Sequence, residues 1–167
     1  TSITLPKSLR EIGEGAFKEC KNLSEVHISD IAAWCSIEFH SNPLEYAKSL
    51  YLNGELVTTL VIPEEVLEIN YGAFSHCEDL TTLIVPNNLC KIGSYTFHSC
   101  KNLTSVLILS GIEEIGESAF EGCSSLLSLS LPQNTKIIHA NAFNGCISLT
   151  SLTLPEGVAE IGGSAFY

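Results

Sequence analysis

The sequence predicts a β-rich solenoid of stacked units, with a parallel sheet of about seven short strands. Three observations predict it: a Phe-centred motif recurs every 23 residues, an alternating apolar pair typical of a strand follows each copy, and Pro usually ends that pair. One unit cannot bury its apolar side alone. The copies are therefore expected to stack, with equivalent side chains about 4.8 Å apart.

The motif is Ala or Thr, then Phe, two variable residues and Cys, and Leu follows three residues after each Cys. Six of the seven Phe occupy its Phe position. Stacking such units predicts continuous ladders of Leu, Ile, Phe and Cys in the core. The six are Phe17, Phe74, Phe97, Phe120, Phe143 and Phe166.

Each strand should end at an apolar position that is commonly followed by Pro, as Val85 is followed by Pro86. Pro lacks the N–H that would continue the ladder of hydrogen bonds. Gly, which often precedes the next Phe, permits a turn. Tight turns or short 3₁₀ or helical segments are expected on the side away from the sheet. The strand positions are Leu5, Ile28, Ile62, Val85, Ile108, Leu131 and Leu154.

One unit, at about residues 29–62, is irregular: the strand positions Ile28 and Ile62 are 34 residues apart, whereas all others are 23 apart. Its Asn53-Gly54 pair predicts a two-residue type I′ hairpin. Two roles are open for this unit. Its apolar side chains replace the missing Phe and Cys in the core, or its extra residues project and contact a partner. The core candidates are Trp34, Ile37, Phe39, Leu44 and Leu50. The candidate contacts are Trp34, Tyr46, Tyr51 and Asn53.

Composition limits the classes of function. The chain has 167 residues, 45% of them hydrophobic, so residues 1–167 are predicted to form one domain with a continuous core. A formal net charge of −11 would repel the phosphates of nucleic acid. No apolar run reaches the roughly 18 residues that would insert into a membrane. Because both Thr1 and Tyr167 lie partway through a unit and no polar cap is present, we expect a fragment of a longer repeat protein.

No catalytic, metal or cofactor site is predicted, and the segment is not expected to be an enzyme. The Cys of the repeat lack the paired spacing of a zinc site, and the rung spacing exceeds the separation that a disulfide prefers. They are expected to be reduced and buried, as small apolar groups. Cys35 and Cys90 fall outside the repeat, and their pairing is left open. The His share no repeat position and form no HExxH motif. The repeat Cys are Cys20, Cys77, Cys100, Cys123 and Cys146.

The repeat resembles the BspA-like, or treponemal-type, leucine-rich repeat, whose unit runs approximately LxxLxLPxxLxxIgxxAFxxC. The resemblance covers nearly all of the chain. It implies a leucine-rich-repeat solenoid, horseshoe-like but rich in β-structure. It also implies a surface-exposed or secreted protein of a host-associated microbe, in a family linked to adhesion.

The residues that alternate with the buried ones form the candidate binding surface, which we call the strand face. Hydroxyl and aliphatic side chains dominate it, and the acidic residues lie mainly in turns. Such a surface favours a protein partner, or alternatively a glycan, over a highly charged ligand. The strand face comprises Glu25, His27, Thr59, Val61, Thr82, Ile84, Ser105, Leu107, Ser128, Ser130, Ser151 and Thr153.

These observations and the resemblance together predict an adhesion or protein-interaction module of a cell-surface or secreted protein. Its expected partner is a host-cell or extracellular-matrix protein. One alternative is a structural spacer that holds a separate functional domain away from the envelope. Another is a recognition domain attached to an enzyme outside this segment. For the strand face itself, the alternative is an idle surface on which Ser and Thr are simply compatible with strands.

Overall fold

The computed structural model describes residues 1–167 and shows 15 strands and two short helices in a stack of rungs. In chain order the elements are β1 (Ser2–Thr4), β2 (Glu11–Ile12), β3 (Glu25–Ile28), α1 (Ile31–Cys35), β4 (Glu38–Phe39), α2 (Leu44–Ala47), β5 (Ser49–Leu52), β6 (Glu55–Leu56), β7 (Thr59–Val61), β8 (Thr82–Val85), β9 (Lys91–Ile92), β10 (Ser105–Ile108), β11 (Glu114–Ile115), β12 (Ser128–Ser130), β13 (Ile137–Ile138), β14 (Ser151–Thr153) and β15 (Glu160–Ile161).

The predicted solenoid of 23-residue units is confirmed by the strand register. Leu83 of β8 pairs with Leu60 of β7 on one side and with Val106 of β10 on the other, in each case 23 residues away. All three side chains are buried. Five parallel strands form this larger sheet, in the order β14-β12-β10-β8-β7.

The single sheet of about seven strands is divided into two, which differs from the expectation. After β3, the next strand in the stack is β5 and not β7. The chain then reverses at Asn53 and Gly54, and β6 pairs antiparallel with β5. Because β6 occupies the free edge of β5, β7 cannot pair there and begins the five-stranded sheet instead. The hairpin prediction is confirmed, since Asn53 and Gly54 both have the positive φ of a type I′ turn, at 52° and 88°.

A second set of short strands lies on the side away from the larger sheet. Strands β9, β11, β13 and β15 pair in parallel, and β2 pairs with β4. Turns were expected on this side and are present, but the short helical segments occur only in the irregular unit. Each regular unit instead adds a two-residue strand to a second sheet. Ile92, Ile115 and Ile138 of these strands are buried.

The core is one cluster of 43 buried hydrophobic residues that runs along the stack. Its most regular feature is a ladder of parallel Phe rings. Phe120 stacks on Phe97 and on Phe143, with ring centroids 5.4 Å apart in both pairs. The ladder ends at Phe74 on one side and at Phe166 on the other.

The irregular unit packs as a rung of the stack, so its predicted core role is confirmed. Trp34 donates its indole N–H to the Ala73 carbonyl at 2.9 Å, and Asn42 donates its side-chain amide to the Gly72 carbonyl at 2.8 Å. Asn70 in turn donates to the carbonyls of the segment after α1. These bonds tie α1 and α2 to the next unit. The buried side chains include Trp34, Ile37, Phe39, Leu44 and Leu50.

Gly116 allows two rungs to approach closely. An added Cβ would lie 2.6 Å from both the Gly93 carbonyl carbon and the Ser94 backbone nitrogen. Its φ is not positive, so the reason for glycine here is space between backbones and not the turn conformation expected from the sequence.

Candidate functional site

The strand face is a flat surface on the five-stranded sheet, and one of its two columns consists only of hydroxyl side chains. Register places these residues side by side, because each pairs with its equivalent in the next strand. Their side chains are exposed or half-buried. The column contains Thr59, Thr82, Ser105, Ser128 and Ser151.

The second column begins with three aliphatic side chains, Val61, Ile84 and Leu107, which are paired in register. Val61 is 54% exposed and Leu107 is 50% exposed, and Ile84 is half-buried between them. Ser130 and Thr153 complete the column in β12 and β14. The surface therefore changes from aliphatic to hydroxyl along the stack.

No charged side chain interrupts these two columns. The charges lie on other surfaces, where several form ion pairs between successive units. Lys91 pairs with Glu114 at 2.8 Å, and Lys136 pairs with Glu113 at 2.7 Å. Lys91 lies beside Glu114, holding the pKa of this carboxyl below its ordinary value. Solvent screens exposed pairs of this kind, so each contributes little to stability.

The smaller sheet brings together residues that the sequence assigned to two different surfaces. The imidazole Nε2 of His27 lies 3.0 Å from a carboxylate oxygen of Glu25, and its ring stacks on Tyr51 with centroids 4.7 Å apart. Tyr51 belongs to the irregular unit, yet it pairs with His27 in register. Glu25, His27 and Tyr51 thus form one polar aromatic patch.

The remaining residues of the irregular unit do not converge on this patch. Trp34 is wrong as a candidate contact: it is 1% exposed, because its indole fills the core position that Phe occupies in other rungs. Tyr46 is half-buried on α2. Asn53 is exposed at the tip of the β5–β6 hairpin.

The buried Cys of the ladder do more than fill space. The thiol of Cys100 lies 3.2 Å from the Phe74 carbonyl and can donate to it, and Cys123 and Cys146 repeat this contact one and two units later. Burial raises the pKa of Cys77 to about 12 and that of Cys146 to about 11.

Two calls on the Cys need an outcome. Cys20 is exposed, contrary to expectation, because the irregular unit has no Phe-x-x-Cys turn to cover it. Cys35 is buried, Cys90 is exposed, and both are free thiols. All seven Cys are therefore unpaired in this structure.

A row of Thr hydroxyls, which the sequence analysis did not identify, also joins the units. Thr81 donates to the Thr58 carbonyl, Thr104 to the Thr81 carbonyl and Thr150 to the Leu127 carbonyl. Recurrence of Thr at a 23-residue spacing was the available signal. A second missed feature is a cavity lined by Tyr71, Tyr95, His76 and His98.

Comparisons with known proteins agree with this architecture. The profile of the BspA-type leucine-rich-repeat region matches residues 1–48 and 45–167, in six copies. Repeats of this type typically form binding domains, generally for proteins. No curated protein matches the chain. No helix of the structure is long and apolar enough to cross a bilayer.

Three solved structures show the same fold. A leucine-rich-repeat protein of T. pallidum is 29% identical with a TM-score of 0.60, over 96% of this chain and 72% of that one. One from Bacteroides ovatus is 26% identical with a TM-score of 0.54, over 99% of this chain and 34% of that one. One from Eubacterium ventriosum is 21% identical with a TM-score of 0.57, over 92% and 48%. The chain thus spans about a third of the Bacteroides ovatus protein.

Proposed function

The chain belongs to the BspA-type leucine-rich-repeat family, and from this premise we propose that it is an adhesion module of a cell-surface or secreted protein. Its partner is a host-cell or extracellular-matrix protein, and the strand face makes the contact. The observation that carries this proposal is the free hydroxyl column of the larger sheet.

Hydroxyls of the same residue types are used differently on and off the strand face. Thr81 and Thr104 spend their hydroxyls on carbonyls of the neighbouring rung. Thr82 and Ser105, one position further along, make no side-chain hydrogen bond within the chain and point outward. Their donors and acceptors are free for a partner, which favours a binding surface over an idle one.

The composition of the strand face suits a protein interface. The centre of such interfaces is depleted in charge, and polar groups surround it. Val61 and Leu107 offer exposed apolar area at the centre of the sheet, and the hydroxyl column beside them supplies hydrogen bonds. Acidic side chains such as Glu64 and Glu156 lie in the turns at its border.

Size decides how far the contact must extend. Five strands at about 4.8 Å spacing give a surface about 19 Å long, and its two columns span about 13 Å of strand. The resulting area of about 250 Å² is well below the roughly 800 Å² per partner of a stable interface. A partner must therefore also cover the neighbouring patch of Glu25, His27 and Tyr51, and with it the hairpin tip at Asn53.

The test is a binding screen of the purified segment against immobilised matrix proteins and a glycan array. The double variant Thr82→Glu and Ser105→Glu places two charges on the hydroxyl column. A matched control, Asn102→Glu and Asn134→Glu, adds the same charge on exposed turns. Circular dichroism checks that each variant is folded.

The proposal predicts saturable binding to a matrix protein that the strand-face variant loses and the turn variant keeps. Equal binding by both variants would place the contact elsewhere. No binding to any matrix protein would contradict the proposal and favour the spacer.

A further inference from the structure

A cavity of about 240 Å³ lies where the irregular unit meets the turns of the next two units. Residues 39–45 form one wall, and residues 71–76 and 95–98 form the others. None of the strand-face residues lines it. Asn42, which is buried, donates to the Gly72 and Ala73 carbonyls and so holds the first wall against the second.

Four aromatic rings form a continuous patch in this cavity. The rings of Tyr71 and Tyr95 have centroids 5.1 Å apart, and those of His76 and His98 are 5.3 Å apart. Tyr95 also lies 5.6 Å from His98 and joins the two pairs. Ser41, Ser75 and Glu45 add polar groups around the patch.

Backbone conformation shows that two of these rings occupy positions that do not suit large side chains. Tyr95 has a φ of 58° and His76 a φ of 62°, both in the left-handed region that favours glycine. The positions equivalent to Tyr95, two before each Phe, hold only small side chains or Asn: Gly15, Gly72, Ser118, Asn141 and Ser164, all with positive φ. The positions equivalent to His76, two after each Phe, include Ser99, Gly122 and Gly145. Strain of this kind concentrates at functional sites.

Electrostatics around the cavity argue against a charged ligand. Neither Lys nor Arg lines it, so an anion finds no ion-pair partner. Burial, together with the nearby charges of Lys48, His98 and Lys101, lowers the pKa of His76 to about 4. His76 is therefore neutral at pH 7, and the same positive charges disfavour a cation beside it. Glu45 remains as an acceptor on the rim.

We propose that this cavity binds a neutral pyranose sugar. Such a ring has an apolar face of C–H groups that packs on the exposed Tyr71 and Tyr95, and a hydroxyl periphery that bonds to polar groups. Neutral His76 supplies one donor and one acceptor, and Ser75 and Glu45 supply others. The volume is below the roughly 300–1,000 Å³ of pockets for drug-sized ligands, which suits a single ring. This site is independent of the protein contact on the strand face.

The test uses saturation-transfer NMR on the full chain with glucose, galactose, mannose and N-acetylglucosamine as probes. Choline and N-acetylneuraminic acid serve as the cationic and anionic counter-probes. In the variant Tyr95→Ser the rung keeps its fold, because Ser118 and Ser164 adopt the same φ in equivalent positions. The control variant Tyr167→Ser removes an exposed Tyr far along the stack.

The proposal predicts saturation of the ring C–H protons of at least one neutral sugar. Binding should be about tenfold weaker in Tyr95→Ser, through loss of an aromatic contact, and unchanged in Tyr167→Ser. Transfer to none of the neutral sugars, transfer to a counter-probe alone, or equal transfer to the wild type and Tyr95→Ser would overturn it. A strand-face variant that loses its matrix protein but still binds the sugar would separate the two sites.

Discussion

Replacing Phe120 by Ala tests the ladder of stacked rings that runs through the core. Phe120 is fully buried and stacks on a ring on each side. A buried Phe→Ala change costs about 3–5 kcal/mol, and each aromatic pair contributes about 0.5–1.5 kcal/mol beyond the area that it buries. With two stacking partners lost, the free energy of unfolding should fall by about 4–5 kcal/mol, the upper part of that range.

Phe166 provides the matched comparison, because it is the same residue at the end of the same ladder. It is 39% exposed and stacks on Phe143 alone. Burial of a complete Phe side chain contributes about 1.5–3 kcal/mol, so Phe166→Ala should cost only about 1–2 kcal/mol.

Thermal unfolding followed by far-UV circular dichroism measures the difference. In a chain of this size 1 kcal/mol corresponds to about 2–4 °C in Tm. We expect Phe120→Ala to lower Tm by about 10–18 °C and Phe166→Ala by about 2–6 °C. Equal decreases for both variants would refute a ladder in which stability is shared between neighbouring rungs.

Three further changes follow from particular contacts. Gly116→Ala should cost about 1–3 kcal/mol in urea unfolding, since the added Cβ meets backbone atoms at 2.6 Å, whereas Gly13→Ala, with nothing within 4 Å, should be neutral; equal effects would be inconsistent with close rung packing. Stability should fall as pH falls from about 6.5 to 4, because the unfolded chain protonates His76 there and the folded chain does not. His76→Gly should remove that part of the slope, and an unchanged slope would show that other groups cause it. Native iodoacetamide labelling read by mass spectrometry should modify only the exposed Cys20 and Cys90, because burial holds Cys35 and Cys77 as thiols with a pKa of about 12; rapid labelling of these two would contradict their burial.

The features that sequence predicted correctly are those that repeat. Phe and Cys recur every 23 residues because each must stack on its equivalent, and the alternation in Leu83 and Val85 reports which strand face is buried. The hairpin was predictable from two residues, since Asn53-Gly54 suits the positive φ of a type I′ turn.

The features that sequence missed depend on contacts without a period. The division of the sheet follows from β6 pairing with the edge of β5, which no spacing reveals. Trp34 is unique in the chain, and only the position of Ala73 shows that its indole is buried. The strands of the second sheet have two residues each, too few for a periodic signal.

The aromatic cavity was beyond sequence analysis for a different reason. Its walls come from three separate segments, and the His and Tyr that line it share no motif. A signal did exist in hindsight: Tyr95 and His76 are large residues in alignment columns otherwise rich in Gly and Ser. Positive φ in those columns gives this contrast its physical meaning.

Hydroxyl-radical footprinting of the segment, alone and with a matrix protein that it binds, tests the proposed strand-face contact most directly. Val61 and Leu107 are exposed aliphatic side chains on the strand face, and Ile147, which is 85% exposed, lies on a turn. We predict that the partner protects Val61 and Leu107 from oxidation and leaves Ile147 unchanged. Protection of Ile147 with continued oxidation of Val61 and Leu107 would contradict the account.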